Sequence, residues 1–430
     1  MSYFNDIRLL SEECLSWADM RQEQQASIQP TLRALRKALQ QARRDLERAK
    51  PAPALTARQP NDLPGIRALR PSGPRRLTQR IPTQALRNRL AGAWAGRTAG
   101  CTLGAPVEGW SIEAMESLAR STGADWPPTD YWTAHPTPDT IRYGLSAMRD
   151  YLRDQLYAVP VDDDVTYTLL GLLILEEYDA DFTTEDVGAA WLKYLPVACT
   201  AEHVALENLK AGIPPSKAAE KSNPFAEWIG ADIRSDPWAY AAPGQPERAA
   251  EFAYRDAFLS HRYNGIYGAM FFAAAIAAAF AVDDPIEALD IGLTEIPVDC
   301  QLARDVRWAL RTGPGLADWR EAREAVDARF AGMSSVHTNN NACLTVFGLI
   351  LGDRDFTRTV GMTVAMGLDN DCTAATAGSL LGAAIGIRHI PELWWKPFRN
   401  RTRTYLRSHA WFRNTDVVRR FMALARRFER

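Results

Sequence analysis

The sequence lacks the features that mark disulfide-bonded, zinc-binding or nucleic-acid-binding proteins. Its six cysteines lie far apart, with no CxxC pair and no histidine at zinc-site spacing. Reduced thiols in a cytoplasm are therefore the expectation, rather than a disulfide framework. Charge of one sign is also missing, because 50 Lys and Arg residues balance 52 Asp and Glu residues. A formal net charge of -2 gives no signature of a nucleic-acid partner.

The sequence has no long, strongly apolar run. Its first residues, MSYFNDIRLLSEEC, do not join a basic start to an apolar segment, so we expect no secretory signal. The nearest imitation of a membrane span is GIYGAMFFAAAIAAAFAV, residues 265–282. This stretch is rich in alanine, which is only weakly apolar, and charged residues flank it. We therefore predict a central helix surrounded by other helices, and no membrane partner.

Helical periodicity is what the sequence has in abundance. Residues 28–50 carry leucines at helical spacing among cations and glutamines, which is typical of a solvated amphipathic helix. The proline-rich residues 51–77 are typical of a linker. From about Ile81 onward one helical pattern follows another. We predict an all-α protein, with a helical N-terminal extension and linker over residues 1–80 and a compact multi-helix domain over residues 81–430.

Glycine recurs at every fourth position in two places. The first series is Gly92, Gly96, Gly100 and Gly104, and the second is Gly378, Gly382 and Gly386. Each glycine costs a helix about 1 kcal/mol relative to alanine, so such a series usually has a packing reason. Dimerisation within a membrane is disfavoured because Arg97 stands in the first series. The spacing predicts tight packing between core helices.

Acidic residues stand beside both glycine series. Glu108 follows the first series, Asp369 and Asp371 precede the second, and a run of three opens an apolar helix: Asp162, Asp163 and Asp164. Taken alone, the run is typical of a solvated helix start. Six carboxylates at the ends of packed helices repel one another unless a cation neutralises them. Oxygen ligands of this kind suit Mg²⁺ or Mn²⁺ rather than zinc.

Four stretches, in this order along the chain, carry a resemblance to a known family. They are GRTAGCTLGAPVEGW, VDDDVTYTLLGL, LSHRYNGIYGAMFFAAAIAAAF and GLDNDCTAATAGSLLGAAIG. Together they resemble the ADP-ribosylglycohydrolase family, over about residues 84–400. The resemblance implies an all-α fold with a binuclear metal site at its centre and hydrolysis of an N- or O-glycosidic bond to ADP-ribose. It implies two Mg²⁺ ions, with Mn²⁺ as the alternative.

The resemblance also implies the metal ligands. The family's two threonine ligands are replaced here by Asp162 and Cys372. Asp162 retains an oxygen ligand and adds a charge. A thiol is a poor ligand for Mg²⁺, so the position of Cys372 falls to water or to Thr373. The predicted ligand set is Asp162, Asp163, Asp164, Asp369, Asp371, Cys372 and Thr373.

The base that activates water is expected among the same acids. Glu108 is the first candidate because it comes from a different segment than the two aspartate clusters. Asp163 and Asp371 remain alternatives. The predicted substrate contacts are Glu108, Gly104, His261, Asn264, Gly265, His337 and Asn339. For the histidines and asparagines among them, a purely structural role at a helix start is the competing interpretation.

Three function classes stay open at this point. The favoured one is a Mg²⁺-dependent, cytoplasmic hydrolase acting on an ADP-ribosylated protein or a small ADP-ribosyl or ribosyl conjugate. The second is an ADP-ribosyl-binding, immunity or regulatory protein that blocks an ADP-ribosyltransferase with little catalysis, its N-terminal extension meeting a protein partner. The third is a structural helical module. A Ser-His-Asp hydrolase is not supported, because the sequence has no GxSxG.

Overall fold

The computed structural model of the protein describes residues 3–77, 80–133 and 150–429. Within these ranges its regular secondary structure is almost wholly helical, which confirms the all-α prediction. Two three-residue strands, β1 (Arg401–Arg403) and β2 (Trp411–Arg413), pair antiparallel with Thr402 opposite Phe412. The α-helices are α1 (Asn5–Glu23), α2 (Gln29–Arg48), α3 (Pro53–Thr56), α4 (Leu63–Leu69), α5 (Thr83–Gly104), α6 (Ile112–Thr122), α7 (Asp163–Tyr178), α8 (Thr184–Tyr194), α9 (Thr200–Lys210), α10 (Asp236–Ala241), α11 (Pro246–Ala257), α12 (Asn264–Ala279), α13 (Pro285–Gly292), α14 (Gln301–Thr312), α15 (Trp319–Arg329), α16 (Thr338–Gly352), α17 (Phe356–Ala365), α18 (Asn370–Ile385) and α19 (Asn414–Phe428).

The two glycine series lie on α5 and α18, which pack against each other along their whole length and run antiparallel. A Cβ atom placed on Gly96 would come within 2.0 Å of the carbonyl oxygen of Gly378. Gly92 meets Gly382 in the same way, and Gly100 meets Ala374. Because no side chain separates the two backbones, the predicted tight packing is confirmed. It brings the C-terminal end of α5 against the N-terminal end of α18.

Helix α12 lies in the core, as the alanine-rich stretch predicted. Every residue of this helix is buried. It packs against α10, α11, α13 and α18. Among the described residues, no helix combines the length and the apolar character that a bilayer crossing requires.

The N-terminal residues divide into two parts. Helices α1 and α2 contribute no buried residue. The later part of the stretch predicted as a linker instead includes α4 and lies against the body, where Gln59 and Ile66 are buried. Arg70 pairs with the buried Glu295 at 2.6 Å. The packing of residues 59–77 was not foreseen, and the domain boundary at residue 80 remains a prediction.

Because residues 59–77 contribute buried side chains and α1 and α2 do not, two truncations of the N-terminal segment should differ in stability. Removing residues 1–50 deletes α1 and α2 and should leave the melting temperature within about 2 °C of the full chain, because no buried side chain is lost. Removing residues 1–80 also deletes Ile66 and the Arg70 ion pair, and should lower it by several degrees. Thermal unfolding of both proteins measures the difference. Equal melting temperatures would show that residues 51–80 add nothing to the fold.

Candidate metal centre

Three helix ends bring the predicted acidic residues together. Asp162 is the N-cap of α7, and its carboxylate accepts a hydrogen bond from the Asp164 amide at 3.0 Å. Asp369 precedes the first residue of α18, and Asp371 lies in its first turn. Glu108 follows the short 3₁₀ segment that ends α5. Carboxylates are favoured at helix N-termini because the unpaired amides there carry partial positive charge.

The carboxylates form three neighbouring groups. In each group, one ligand atom per residue lies within 4.8 Å of the others. Asp371 belongs to two of the groups, so these two groups adjoin each other. The groups are Asp164 with Asp371 and Cys372, Glu108 with Asp369 and Asp371, and Asp162 with Asp163 and Asp164. Acids from separate parts of the sequence therefore lie close together.

Burial and mutual repulsion favour the protonated form of these acids when no cation is present. Burial, followed by the charges of neighbouring carboxylates, raises the pKa of Asp371 well above its ordinary value. The same causes raise the pKa of Asp163. Burial, opposed by Arg97, raises the pKa of Asp164 to about 8. Burial by surrounding atoms, together with Asp369 and Asp162, raises the pKa of Glu108 to about 7, although this side chain reaches solvent at the rim.

The donor set fits a hard divalent cation. Asp371 is 4% exposed, and its Oδ1 atom has no hydrogen-bond partner among the described residues. A buried carboxylate oxygen without a partner is costly. A bound cation would satisfy it and would also neutralise the surrounding acids. Clustered carboxylates suit Mg²⁺, Mn²⁺ or Ca²⁺ rather than softer metals.

Cys372 faces the same cluster. Its thiol donates a hydrogen bond to Asp164 Oδ2 at 3.1 Å, and burial followed by the nearby carboxylates raises its pKa. The neutral thiol therefore donates its hydrogen bond to Asp164, a carboxylate that a bound Mg²⁺ would need as a ligand. Thr373 is fully buried with an unpartnered hydroxyl, but it does not line the cavity described below. Its part in binding a metal remains a prediction.

Replacing Cys372 by threonine should tighten Mg²⁺ binding, by about tenfold, because a hard oxygen replaces a soft sulfur beside Asp164. Isothermal titration of Mg²⁺ into both proteins measures the change. Cys199→Thr is the matched control, since Cys199 lines the cavity but belongs to none of the three acidic groups. Affinity that is unchanged or weaker in Cys372→Thr would show that this position does not face a bound ion.

The acids open onto a small cavity of about 200 Å³. Glu108, Asp163, Asp369 and Asp371 form its acidic wall. The opposite wall comes from residues that the sequence did not single out: Tyr167, Cys199, Thr200, Glu202, Trp228, Ile229, Gly230, Ile233 and Val336. The space is smaller than a typical drug-sized site of about 300–1,000 Å³, so it suits one sugar ring rather than a whole dinucleotide.

Arg97 lies beneath the acids and is fully buried. It forms ion pairs with Asp164 at 2.9 Å and with Asp236 at 2.8 Å, and it donates a hydrogen bond to the Ile233 carbonyl at 2.6 Å. The sequence offered Arg97 only as an argument against a membrane helix. Its actual role is to neutralise two buried carboxylates and to hold Asp164 in place.

A second buried arginine supports the far side of the cavity. Arg234 pairs with Asp256 at 2.7 Å and with Glu202, and its guanidinium lies 5.1 Å from the ring centroid of Trp191. Glu202 lies in the first turn of helix α9, within a motif, TAEH, that resembles any other helix start. Nothing in the spacing along the chain could have indicated it, because its partners are contributed by other segments.

His261, a predicted substrate residue, does not line the cavity. His261 is fully buried, its Nδ1 lies 2.8 Å from Ser260 Oγ, and its Nε2 has no hydrogen-bond partner among the described residues. Burial, followed by the charges of Arg234 and Arg262, lowers the pKa of His261 well below its ordinary value. Its ring is therefore neutral and lies 4.0 Å from Glu202.

Asn264 and Gly265 follow His261 at the start of α12. The amide of Asn264 bonds Glu227 Oε2 at 2.6 Å and Gln301 Oε1 at 3.0 Å. A Cβ atom on Gly265 would come within 2.5 Å of the Ala226 carbonyl oxygen. Neither residue lines the cavity, so their predicted contact with substrate is not tested by the geometry.

The remaining predicted residues also have partners in the protein. His337 is the N-cap of α16 and accepts a hydrogen bond from the Asn339 amide at 3.1 Å. The Asn339 side chain donates to Asp305 at 2.8 Å, while its Oδ1 has no partner in the described residues. Gly104 lies against Asp371, where a Cβ atom would come within 2.4 Å of the backbone. Its contact is thus with the acidic wall itself.

Fold and site together define a class: an all-α protein that gathers buried carboxylates from separate helix ends around a sugar-sized cavity. The sequence model of ADP-ribosylglycohydrolase matches residues 82–427. The chain belongs to the ADP-ribosylglycohydrolase family. Family and fold together support a glycohydrolase that acts on ADP-ribose conjugates.

A solved structure shares the fold. It is described as an ADP-ribosylglycohydrolase-related protein complex, is 20% identical in sequence, and superposes with a TM-score of 0.54. The match covers 80% of this chain and 99% of that chain. At this identity the likeness concerns the fold alone. No match was found among curated proteins.

Proposed function

We propose that the protein is a divalent-cation-dependent hydrolase that cleaves the glycosidic bond between ADP-ribose, or a related ribosyl group, and a protein side chain, a nucleotide or a small molecule. The observation that carries this proposal is the unpartnered, buried Oδ1 of Asp371, shared by two acidic groups on the wall of the cavity. A buried carboxylate oxygen without a partner is costly, and a cation or a substrate bound there would remove that cost.

Mg²⁺ is the cation that we propose, as two ions, with Mn²⁺ as the alternative. The oxygen atoms that would hold it come from Asp163, Asp164, Asp369 and Asp371, and Asp162 adds a further carboxylate beside them. Bound at such a site, a divalent cation orients ribose hydroxyls and makes a water molecule more acidic.

Glu108 is the proposed general base. It stands at the rim of the cavity, within the group formed with Asp369 and Asp371, so its carboxylate reaches both the acids and solvent. A base with a pKa near 7 can accept a proton from water at neutral pH. Attack at the anomeric carbon passes through an oxocarbenium-like transition state, whose positive charge the surrounding carboxylates stabilise. Asp163 and Asp371 remain the alternative bases.

The shape of the cavity supports a ribosyl substrate. About 200 Å³ admits a sugar ring next to the carboxylates and leaves the attached groups at the mouth. Trp228 and Val336 belong to the lining of this cavity. Trp228 pairs by backbone with His337, which fixes the position of its segment against the start of α16. Trp228 is partly exposed, and an aromatic ring in this lining is suited to stacking with a planar group.

Binding without catalysis is the second candidate function. One observation favours it: the thiol of Cys372 occupies a position beside Asp164 where a hydroxyl would be a better ligand for Mg²⁺. In that case the protein would bind an ADP-ribosyl group and act on an ADP-ribosyltransferase, with the exposed helices α1 and α2 as the surface that meets a protein.

A substrate panel separates the two functions. The full chain would be incubated with Mg²⁺ and with ADP-ribosylated arginine and serine peptides, ADP-ribosylated nucleotides and free nucleosides, and released ADP-ribose or ribose would be measured by mass spectrometry. We expect release from at least one member, and none with Asp371→Asn. Saturable binding of ADP-ribose without release from any member would favour the binding function instead.

Divalent cations should also stabilise the fold. Because the clustered carboxylates repel one another without a cation, Mg²⁺ or Mn²⁺ at 100 times its dissociation constant should add about 2.7 kcal/mol to the free energy of unfolding. Thermal unfolding with metal or with EDTA measures the shift. NaCl at equal ionic strength is the control for general screening. Identical melting temperatures in all three conditions would count against the metal centre.

A further inference from the structure

A second and larger cavity, of about 860 Å³, lies at the other end of the α5–α18 pair. It is bounded by residues 84–98 of α5, residues 387–400 and residues 414–422 of α19. Its lining on α5 ends at Thr98, and none of its lining residues also lines the acidic cavity. The cavity is therefore distinct from the acidic site, and its volume is typical of small-molecule sites.

The charge of this cavity is opposite to that of the metal centre. Asp416 is the one acidic residue in its described lining, and the basic ones are Arg87, Arg388, Lys396, Arg399 and Arg419. Lys396 and Arg419 have acidic partners on their own turns. Within residues 3–77, 80–133 and 150–429, the other three make no ion pair or side-chain hydrogen bond. Unpaired guanidinium groups around one concave surface attract and bind anions.

The floor of the cavity is aromatic. Trp94, Trp395 and Phe398 line it. Trp94 is 3% exposed, and its indole N–H donates to no atom of the described residues. A buried indole N–H normally has an acceptor. The cavity thus combines a flat apolar surface, an unused buried donor and three free cations.

We propose that this cavity binds a small aromatic anion. The ring lies against the tryptophans, the phosphate or carboxylate head is held by Arg87, Arg388 and Arg399, and the indole N–H of Trp94 donates to an oxygen of the ligand. The proposed hydrolysis makes no use of these residues, so the site is separate from the acidic centre.

Titration with 1-naphthyl phosphate, followed by quenching of tryptophan fluorescence and by calorimetry, tests the proposal on the full chain. We expect saturable binding that weakens at least tenfold in the double variant Arg87→Gln, Arg388→Gln. Both side chains are exposed, so the variant should fold normally. Trp94→Phe, which keeps a ring but removes the donor, should weaken binding severalfold. Inorganic phosphate has the anionic group without the ring, and 1-naphthol has the ring without the anionic group. Each should bind at least tenfold more weakly than 1-naphthyl phosphate.

Two control variants locate the binding. Arg311→Gln removes an exposed arginine outside the cavity, and Asp371→Asn alters the acidic centre; both should leave the affinity for 1-naphthyl phosphate unchanged. Affinity that survives Arg87→Gln, Arg388→Gln, or that is lost in Asp371→Asn, would place the ligand elsewhere and overturn the proposal. An absence of saturable binding would overturn it as well.

Discussion

Asp371→Asn should lower glycohydrolase activity and divalent-cation affinity by at least about a hundredfold while the protein stays folded. The substitution keeps the shape and one oxygen of the side chain but removes the charge that two acidic groups share. Asp369→Asn should behave in the same way, since Asp369 belongs to the group that includes Glu108. Steady-state kinetics on the substrate identified by the panel, with calorimetric metal titration, gives both quantities.

The same variant should be more stable than the wild type in EDTA. Burial and nearby carboxylates raise the pKa of Asp371 in the folded state, so the metal-free fold loses stability as pH rises above the unfolded value of about 3.9. Asparagine removes this loss. The melting temperature of Asp371→Asn should therefore exceed that of the wild type at pH 8 and approach it at pH 4.

Leu380→Ala provides the comparison, because Leu380 is buried in α18 and belongs to none of the acidic groups. It should lower the free energy of unfolding by about 2–5 kcal/mol and leave the intrinsic metal affinity unchanged. If both asparagine variants retained wild-type activity and metal binding, the two aspartates would be no more than helix-start residues.

Arg97→Met should destabilise the fold by about 3–5 kcal/mol. Methionine fills much of the volume of arginine, but it leaves Asp164 and Asp236 buried without the guanidinium that pairs with both. Urea unfolding at pH 8 measures the loss.

Arg311→Met is the control for Arg97→Met, since Arg311 is exposed and makes no ion pair within the described residues. It should change the free energy of unfolding by less than about 0.5 kcal/mol. A pH titration adds a sign test: the loss in Arg97→Met should shrink as pH falls and the two aspartates become protonated. A loss independent of pH would mean that Arg97 acts through packing alone.

The fold was largely predictable because its strongest signals are local. Glycine at every fourth position indicates a close helix contact, and the two series proved to be the two sides of one contact, between Gly96 and Gly378 among others. The alanine-rich sequence of α12 indicated a core helix for the same reason, since small side chains let neighbouring helices approach closely. The burial of Ile66 could not be predicted, because a proline-rich stretch has no periodicity that indicates which of its residues pack against the rest of the protein.

The site was predictable only in part. The acids of the candidate metal centre stand at helix ends, where short motifs reveal them. Arg97, Arg234 and Glu202 lie in the middle or at the start of ordinary helices and segments, and their roles depend on partners that are distant in sequence. His261 lies 4.0 Å from Glu202 and does not line the cavity, and its contact with substrate remains a prediction. No periodicity encodes such contacts between segments.

Calorimetric titration of Mn²⁺ and Mg²⁺ into the EDTA-stripped full chain tests the central claim most directly, because it requires no knowledge of the substrate. The account predicts saturable binding of up to two ions per chain, with release of protons from the buried carboxylates and with loss of binding in Asp369→Asn and Asp371→Asn. Absence of saturable binding, or binding of equal strength in the wild type and in both variants, would contradict it.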